Sequence, residues 1–370
     1  MIPAQTITGR RPIKLSIVLV VCAIASIGFV MLYYGAGESF TPWAYKQMIR
    51  FAGGLVLLCL IALVDLRFWL SISYVVFALS LVLLVAVEVA GKVGMGAQRW
   101  IDLYFIVLQP SELVKISLLL ALARYFHGLP PGEIKKLRTL LVPSIMVLFP
   151  SLLMLRQPDL GTMLIFVGAG FSIFFVAGMR AWKIIVLVVS AVVASPFFWM
   201  GMHDYQRKRI LTFLDPERDP LGAGYHILQS KIALGSGGFW GKGLGLGSQS
   251  HLNFLPEKQT DFIFSMLCED TGILGGMILI ALYVVLLAYG FRVSLLSRSA
   301  FGRYLAVGLT TLLFLSAFVN MAMVMGLAPV VGIPLPLVSY GGTAMMTFMM
   351  GLGLLMSTSV HRHVRLGRTS

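Results

Sequence analysis

The chain has 370 residues, of which 58% are hydrophobic and only 12% charged, and it carries a formal net charge of +14. Soluble domains average about 25% charged residues, so this composition excludes a soluble enzyme and points to a polytopic membrane protein. Backbone groups in lipid must be satisfied internally, and the apolar runs here are unbroken and helix-length, not the ~10-residue alternating segments of a barrel. The fold class is therefore all-α.

Ten runs approach the ~20 residues that a bilayer crossing requires. They fall at 15–35, 49–64, 68–90, 111–126, 139–155, 160–178, 182–201, 262–290, 303–326 and 342–359. The second is short, and the fourth contains Lys115 and Arg124. The first reads as a signal-anchor, because its apolar run exceeds the 7–15 residues of a cleaved signal peptide's core. The whole chain, 1–370, reads as one membrane domain with a single long loop at 202–260. Lysine and arginine in short loops set orientation. Arg10, Arg11, Lys14, Arg67, Arg124, Lys135, Lys136, Arg138, Arg180, Lys183, Arg292, Arg298, Arg303, Arg362, Arg365 and Arg368 share one side, accompanied there only by Asp65 and Glu133. That side is expected to be cytoplasmic and to hold both termini. Because the basic residues are spread over many short loops, they argue for topology and against a nucleic-acid surface. Cys22, Cys59 and Cys268 all fall within spans, and no pair suggests a disulfide or a zinc site.

The polar residues of the opposite side carry the chemistry. Gly96-Ala-Gln-Arg-Trp-Ile-Asp102 precedes Gln109-Pro-Ser-Glu-Leu-Val-Lys115, where Pro110 suits a first helical turn. Glu112 and Lys115, three apart, share a helix face. Charges at that depth face a bundle interior or an aqueous cavity, so the pair is either an internal salt bridge or a substrate-binding pair. The nearby Arg99 and Trp100 favour the second; Trp100 alone also reads as an interfacial aromatic. In the long loop, Tyr225–Leu234 has apolar residues at helical spacing and is expected to lie at the interface with Lys231 near the headgroups. Gly235–Gly247 is either a re-entrant turn or a phosphate cradle built of backbone N–H groups; its spacing is not that of a P-loop.

The segment Phe254-Leu-Pro-Glu-Lys-Gln-Thr-Asp-Phe-Ile-Phe264 ends the loop and enters an apolar helix. Asp261 is a good helix-start acid, favoured by the dipole. It is also a carboxylate at the water–membrane boundary, suited to a substrate with a polar reactive end and a lipid tail. Glu269 and Asp270, deeper in the same helix, read as partners for Lys115 or for bases of the loop. After Asn320, the run 326–342 has three prolines that prevent a regular helix. Its apolar side chains imply a packed re-entrant loop, with Ser339 turning into the last span.

Together these motifs resemble the SEDS family (RodA/FtsW/SpoVE type) over essentially the whole chain. The resemblance is carried by the 96–102 and 109–112 motifs, Gln157-Pro-Asp-Leu-Gly-Thr162, Asp215-Pro-Glu-Arg-Asp-Pro-Leu-Gly-Ala-Gly-Tyr225, Gln229–Ala233, Pro256-Glu257, Thr260-Asp-Phe262 and Pro334-Leu-Pro-Leu-Val-Ser-Tyr-Gly-Gly342. It implies a peptidoglycan glycosyltransferase of the bacterial inner membrane that polymerises lipid II onto an undecaprenyl-diphosphate-linked glycan. It also implies a class B penicillin-binding protein as partner, within the elongation machinery. In that family the acid matching Asp261 is the catalytic carboxylate, and the Lys115 position and the Arg99–Trp100 region are implicated in activity. Glu112, Arg207, Arg209, Lys231, Glu257 and Ser339 complete the expected substrate-binding set. A divalent cation, Mg²⁺ or Mn²⁺, could share the charge-balancing role with Asp261 as ligand. Two positions depart from the family pattern: Gln259 stands where histidine is frequent, which leaves Asp261 as the better base, and Asp270 stands where glutamate is expected. The rival readings are a lipid II flippase and a structural scaffold.

The topology is tested by reporter fusions. A fusion after Ser370 is expected to be active only in the cytoplasm and one near Gly245 only outside; the reverse pattern would overturn the placement of every loop.

Overall fold

The computed structural model describes residues 13–94, 97–102, 107–130, 132–180, 204–215, 222–251 and 257–367, together with residues 182, 183, 186, 189, 193 and 200. The helices are α1 (Leu15–Gly35), α2 (Ala44–Leu63), α3 (Leu66–Ala90), α4 (Pro110–Gly128), α5 (Leu137–Arg156), α6 (Leu160–Ala177), α7 (Asp204–Leu214), α8 (Ala223–Ser236), α9 (Ser248–His251), α10 (Ile263–Leu296), α11 (Ala300–Val324) and α12 (Gly342–Val360). Eight of them, α1, α2, α3, α5, α6, α10, α11 and α12, are long and apolar enough to cross a membrane. The fourth expected span is α4, which has the length but also carries Glu112, Lys115 and Arg124. Most of the expected span 182–201 lies outside the described residues.

Burial explains α4. Residues 114–123 are buried on every side, as in a helix enclosed by protein, so its charges face other helices and not lipid. Around it, α11 packs against α4, α6, α10 and α12, and α12 runs along α2. Small residues set these approaches: a Cβ on Gly54 would lie 2.7 Å from Met349, and one on Gly308 would lie 2.8 Å from Ile173. In α5, Pro143 removes the N–H that would bond the Thr139 carbonyl. The Tyr125 hydroxyl donates to that carbonyl instead, at 2.7 Å.

Both described ends of the chain meet on one face. The Lys14 amine lies 5.4 Å from the centre of the Tyr289 ring, the Arg298 N–H donates to the Arg362 carbonyl, and His127 Nε2 is 3.0 Å from the Gly367 carbonyl. The long loop lies at the other end of the bundle. There a small antiparallel sheet, β1 (Lys92–Gly94), β2 (Ala97–Asp102) and β3 (Val107–Leu108) in that order, joins α3 to α4. Strands of two to six residues leave no sustained alternation, so this sheet has no signal in the sequence.

The single span expected at 262–290 is in fact two pieces. At 34 residues α10 exceeds one crossing, and it breaks at Gly272 (φ 69°, ψ −169°). Residues 262–270, before the break, are all buried, whereas Ile273, Met277, Ile278 and Val284 beyond it are exposed, as lipid-facing residues are. The glycine-rich loop fills the break. The N–H groups of Lys242 and Gly243 donate to the carbonyls of Glu269 and Asp270, each at 3.0 Å, and the Ile273 N–H donates to Gly238. Lys242 Nζ pairs with Glu269 Oε1 at 2.8 Å, and the Gly245 N–H donates to Asp270 Oδ2 at 3.0 Å. Glu269 and Asp270 are thus partners of this loop and not of Lys115. The loop's N–H groups at 242, 243 and 245 are engaged by the protein itself, which corrects the phosphate-cradle alternative. The helix expected at Tyr225–Leu234 is present as α8. Its Ile227, Ser230 and Ala233 are buried, with Ser230 Oγ bonded to Ser265 Oγ (2.6 Å) and donating to the Val324 carbonyl (2.7 Å). Leu228 and Ile232 are exposed on its other side.

Gly272 adopts a backbone conformation open almost only to glycine, costing other residues ~1–3 kcal/mol, and a Cβ there would lie 2.3 Å from the Phe239 carbonyl oxygen. Gly272→Ala is therefore expected to lower the thermal unfolding midpoint clearly. Gly235→Ala, where a Cβ meets nothing within 4 Å, should leave it unchanged or raise it. Equal midpoints for the two variants would contradict the clasp.

Candidate functional site

Asp261 closes a tight turn before α10. Glu257, at φ 52°, accepts on its carbonyl from the N–H groups of Thr260 (3.0 Å) and Asp261 (3.1 Å). The Glu257 carboxylate accepts from Gln259 Nε2 (3.1 Å) and Thr260 Oγ1 (3.3 Å). Glu257 therefore builds the turn from within, and Gln259, at the position that departs from the family pattern, helps to fasten it. Lys258 is buried in the same turn, and that burial pushes its amine below the ordinary lysine value.

The run 326–341 holds this turn from the other side. Ile333, Leu335, Leu337 and Val338 are all buried. A Cβ on Gly28 would lie 2.5 Å from the Val338 carbonyl oxygen. Gly28 is about 10 Å below the end of α1 at 1.5 Å per residue, so the run enters the bundle as a re-entrant loop. Its polar groups are matched one by one. Asn320 Nδ2 donates to the carbonyls of Asp261 (3.0 Å) and Ile333 (2.7 Å). Ser339 Oγ donates to the Thr260 carbonyl at 2.5 Å and accepts from the Leu335 N–H at 2.8 Å. The Tyr340 N–H donates to the Gln259 carbonyl at 2.8 Å, and Gln47 Nε2 donates to the Ser339 carbonyl at 2.9 Å. Tyr283 donates its hydroxyl to the Pro336 carbonyl. The half-buried Asp261 side chain faces Gly332, where a Cβ would lie 3.4 Å from Oδ2; the positive φ of 70° at Gly332 also requires glycine.

Arg99, on β2, donates to the carbonyls of Gln157 (2.9 Å) and Pro158 and lies 4.0 Å from the Asp159 carboxylate. Gln109 Nε2 also reaches Asp159, at 3.4 Å. The Gln157-Pro-Asp turn leads into Gly161, where a Cβ would lie 2.9 Å from both Val331 and Ile333. Arg99 thus braces the turn that packs against the loop beside Asp261. Trp100, half-buried, sits opposite Lys92 in the sheet. Glu112 and Lys115 form a buried ion pair of 2.7 Å, with the ammonium 5.8 Å from the centre of the Phe348 ring. Glu112 Oε2 is buried and makes no hydrogen bond among the described residues.

The remaining expected residues are more dispersed. Arg207 donates to the Met200 carbonyl at 2.7 Å, and the side chain of Arg209 lies outside the described residues. Lys231 is exposed, but its chain arches over Gly326 at the start of the re-entrant loop. Among the described residues no three His, Cys, Asp or Glu side chains converge as metal ligands. Sequence reading missed Gln47 and Arg50 of α2. The Arg50 guanidinium lies 4.9 Å from the centre of the Tyr340 ring and also borders Gly342. The available signal was a basic residue inside an apolar run, at the end opposite to the basic short loops.

Residues 12–364 match the profile described as "Cell cycle protein" for FtsW, RodA and SpoVE. The chain is 41% identical over 351 residues to the peptidoglycan glycosyltransferase MrdB of Escherichia coli K12, a match covering 94% of this chain and 93% of that protein. Its fold superposes with a TM-score of 0.81 on a chain of a structure described as a peptidoglycan synthase complex coordinating polymerization and crosslinking. That chain is 33% identical, with 95% of this chain and 98% of that one covered. The rod shape determining protein RodA of Thermus thermophilus superposes with a TM-score of 0.72 at 27% identity, covering 98% and 100%. The chain belongs to the FtsW/RodA/SpoVE, or SEDS, family.

Breaking a buried ion pair by removing one partner costs ~3–5 kcal/mol, whereas replacing both can be neutral. Lys115→Met is therefore expected to lower the thermal midpoint sharply, and Glu112→Gln combined with Lys115→Met to restore most of it. A single variant as stable as wild type would contradict the buried pairing.

Proposed function

We propose that this chain is a peptidoglycan glycosyltransferase that extends glycan strands from lipid II at the outer face of the bacterial inner membrane, during elongation and shape maintenance. The observation that carries the reading is the Asp261 carboxylate, half-buried at the loop face, with its backbone held by Asn320 and its neighbour Thr260 held by Ser339. The likeness to MrdB and to a chain of a peptidoglycan synthase complex supports the activity and a class B penicillin-binding partner. The charge bias of the short loops supports cytoplasmic termini.

In this reading Asp261 accepts the proton of the acceptor sugar hydroxyl. The freed oxygen attacks the anomeric carbon of the growing strand, and undecaprenyl diphosphate leaves with inversion. General-base assistance of this kind is worth about 10²–10⁴-fold. Arg99 contributes positive charge on the side where the diphosphate departs and also braces the 157–159 turn, whereas the Lys115 charge is balanced by Glu112 within the bundle. Mg²⁺ is commonly held by one or two carboxylates together with substrate phosphates, so the single carboxylate of Asp261 fits such an ion, which would supply charge neutralisation. The polar network sits at one face of the bundle, whereas transporter sites gather near the midplane; this favours chemistry over a lipid II flippase.

The N-cap of α10 is Phe262, and the backbone of Asp261 is held by Glu257 and Asn320, so the isosteric Asp261→Asn preserves the turn while removing the proton acceptor. The expected result is a folded, partner-binding protein with no detectable glycan from purified lipid II; near-normal polymer would overturn the mechanism. In wild type, loss of activity on chelation and its recovery with Mg²⁺ or Mn²⁺ would assign Asp261 the ligand role.

A further inference from the structure

On the face that carries both chain ends, α5 and α6 line a groove of about 360 Å³ together with Met179, Trp182, Lys183 and Val186. Its floor is Leu140, Phe174 and Met179, all buried, and its rim includes Leu137, Leu141 and Trp182, all exposed. The groove thus opens sideways, towards the lipid. Its polar residues are Ser144 and the buried Lys183. Arg138 adjoins Leu137 at the start of α5, and Arg180 adjoins Met179; both are exposed and neither forms a side-chain ion pair or hydrogen bond among the described residues. One basic group, Lys183, thus lines the slot, and two more, Arg138 and Arg180, are next in sequence to its lining residues Leu137 and Met179.

We propose that this groove is a binding site for an anionic phospholipid, with one acyl chain along Leu140, Phe171 and Phe174 and the phosphate held by Arg138, Arg180 and Lys183. Basic pockets between spans at this level are suited to anionic headgroups, and each basic residue near the surface is worth ~1 kcal/mol towards them. The apolar lining selects a lipid over a free phosphate. The site lies at the opposite end of the bundle from Asp261, so it is separate from the glycan-polymerising site.

The test uses the purified, delipidated full chain in detergent, titrated with dioleoylphosphatidylglycerol or dioleoylphosphatidylcholine and read by native mass spectrometry. Wild type is expected to retain phosphatidylglycerol in preference to phosphatidylcholine. Arg138→Gln combined with Arg180→Gln alters only exposed side chains and should weaken phosphatidylglycerol retention about 10- to 30-fold, leaving phosphatidylcholine unchanged. Ser144→Phe keeps every charge but fills the slot, and should also abolish the preference. Equal binding of the two lipids by wild type, or undiminished retention by either variant, overturns the site.

Discussion

Inside a bilayer every backbone N–H and C=O must find a partner within the protein, and in this molecule that constraint falls hardest on two irregular stretches, 257–262 and 326–341. Neither can satisfy itself as a helix. They are solved together: the Tyr340 N–H meets the Gln259 carbonyl, Ser339 meets Thr260, and Asn320 bridges Asp261 to Ile333. Gln47 and Asn320, fully buried polar residues within spans, exist in lipid-spanning helices because the re-entrant loop supplies their partners. Their removal would leave carbonyls unbonded in an apolar setting, at a cost of ~1–3 kcal/mol each.

The same bonds give the site its character. The Asp261 backbone is fixed on both sides, its N–H by the Glu257 carbonyl and its carbonyl by Asn320, and this sets the position of the carboxylate. The clasp at Gly272 extends this arrangement. By ending the first piece of α10 after 271, it lets residues 262–270 be enclosed by protein and leaves the second piece to face lipid. Lys242, Glu269 and Asp270 hold the break shut, which links the long loop mechanically to the helix that follows the Asp261 turn. On the other flank, Arg99 and the 157–159 turn press Gly161 against Val331 and Ile333. Three separate parts of the sequence thus converge on one carboxylate, as expected for a preorganised site.

Much of this was legible in the sequence, for identifiable reasons. The spans follow from uninterrupted apolar runs, and the packed nature of 326–341 follows from prolines beside buried-type side chains. Asp261 stood out because it is a carboxylate at the water–membrane boundary, suited to a substrate with a polar reactive end and a lipid tail. The start of α2 at Ala44 and not at 49 was hidden by Lys46 and Gln47, and with it the role of Gln47 and Arg50 at the site. The break in α10 was invisible because Gly272, Gly275 and Gly276 look alike in sequence; only the approach of the Phe239 carbonyl distinguishes the first. The buried ion pair and the substrate-binding reading of Glu112 and Lys115 predict the same spacing, so geometry was needed to show the 2.7 Å contact.

The central claim is that the chain itself joins sugars by a single displacement assisted by Asp261. The most direct measurement is incubation of purified lipid II with the purified wild-type chain and its penicillin-binding partner in proteoliposomes, with transpeptidation blocked. Products are resolved by electrophoresis, and the anomeric configuration of the new linkage is read by NMR. The account predicts glycan strands whose linkage is inverted relative to the diphosphate bond of the donor. Absence of strands, or a retained configuration, which would require a covalent glycosyl–enzyme intermediate, would contradict it.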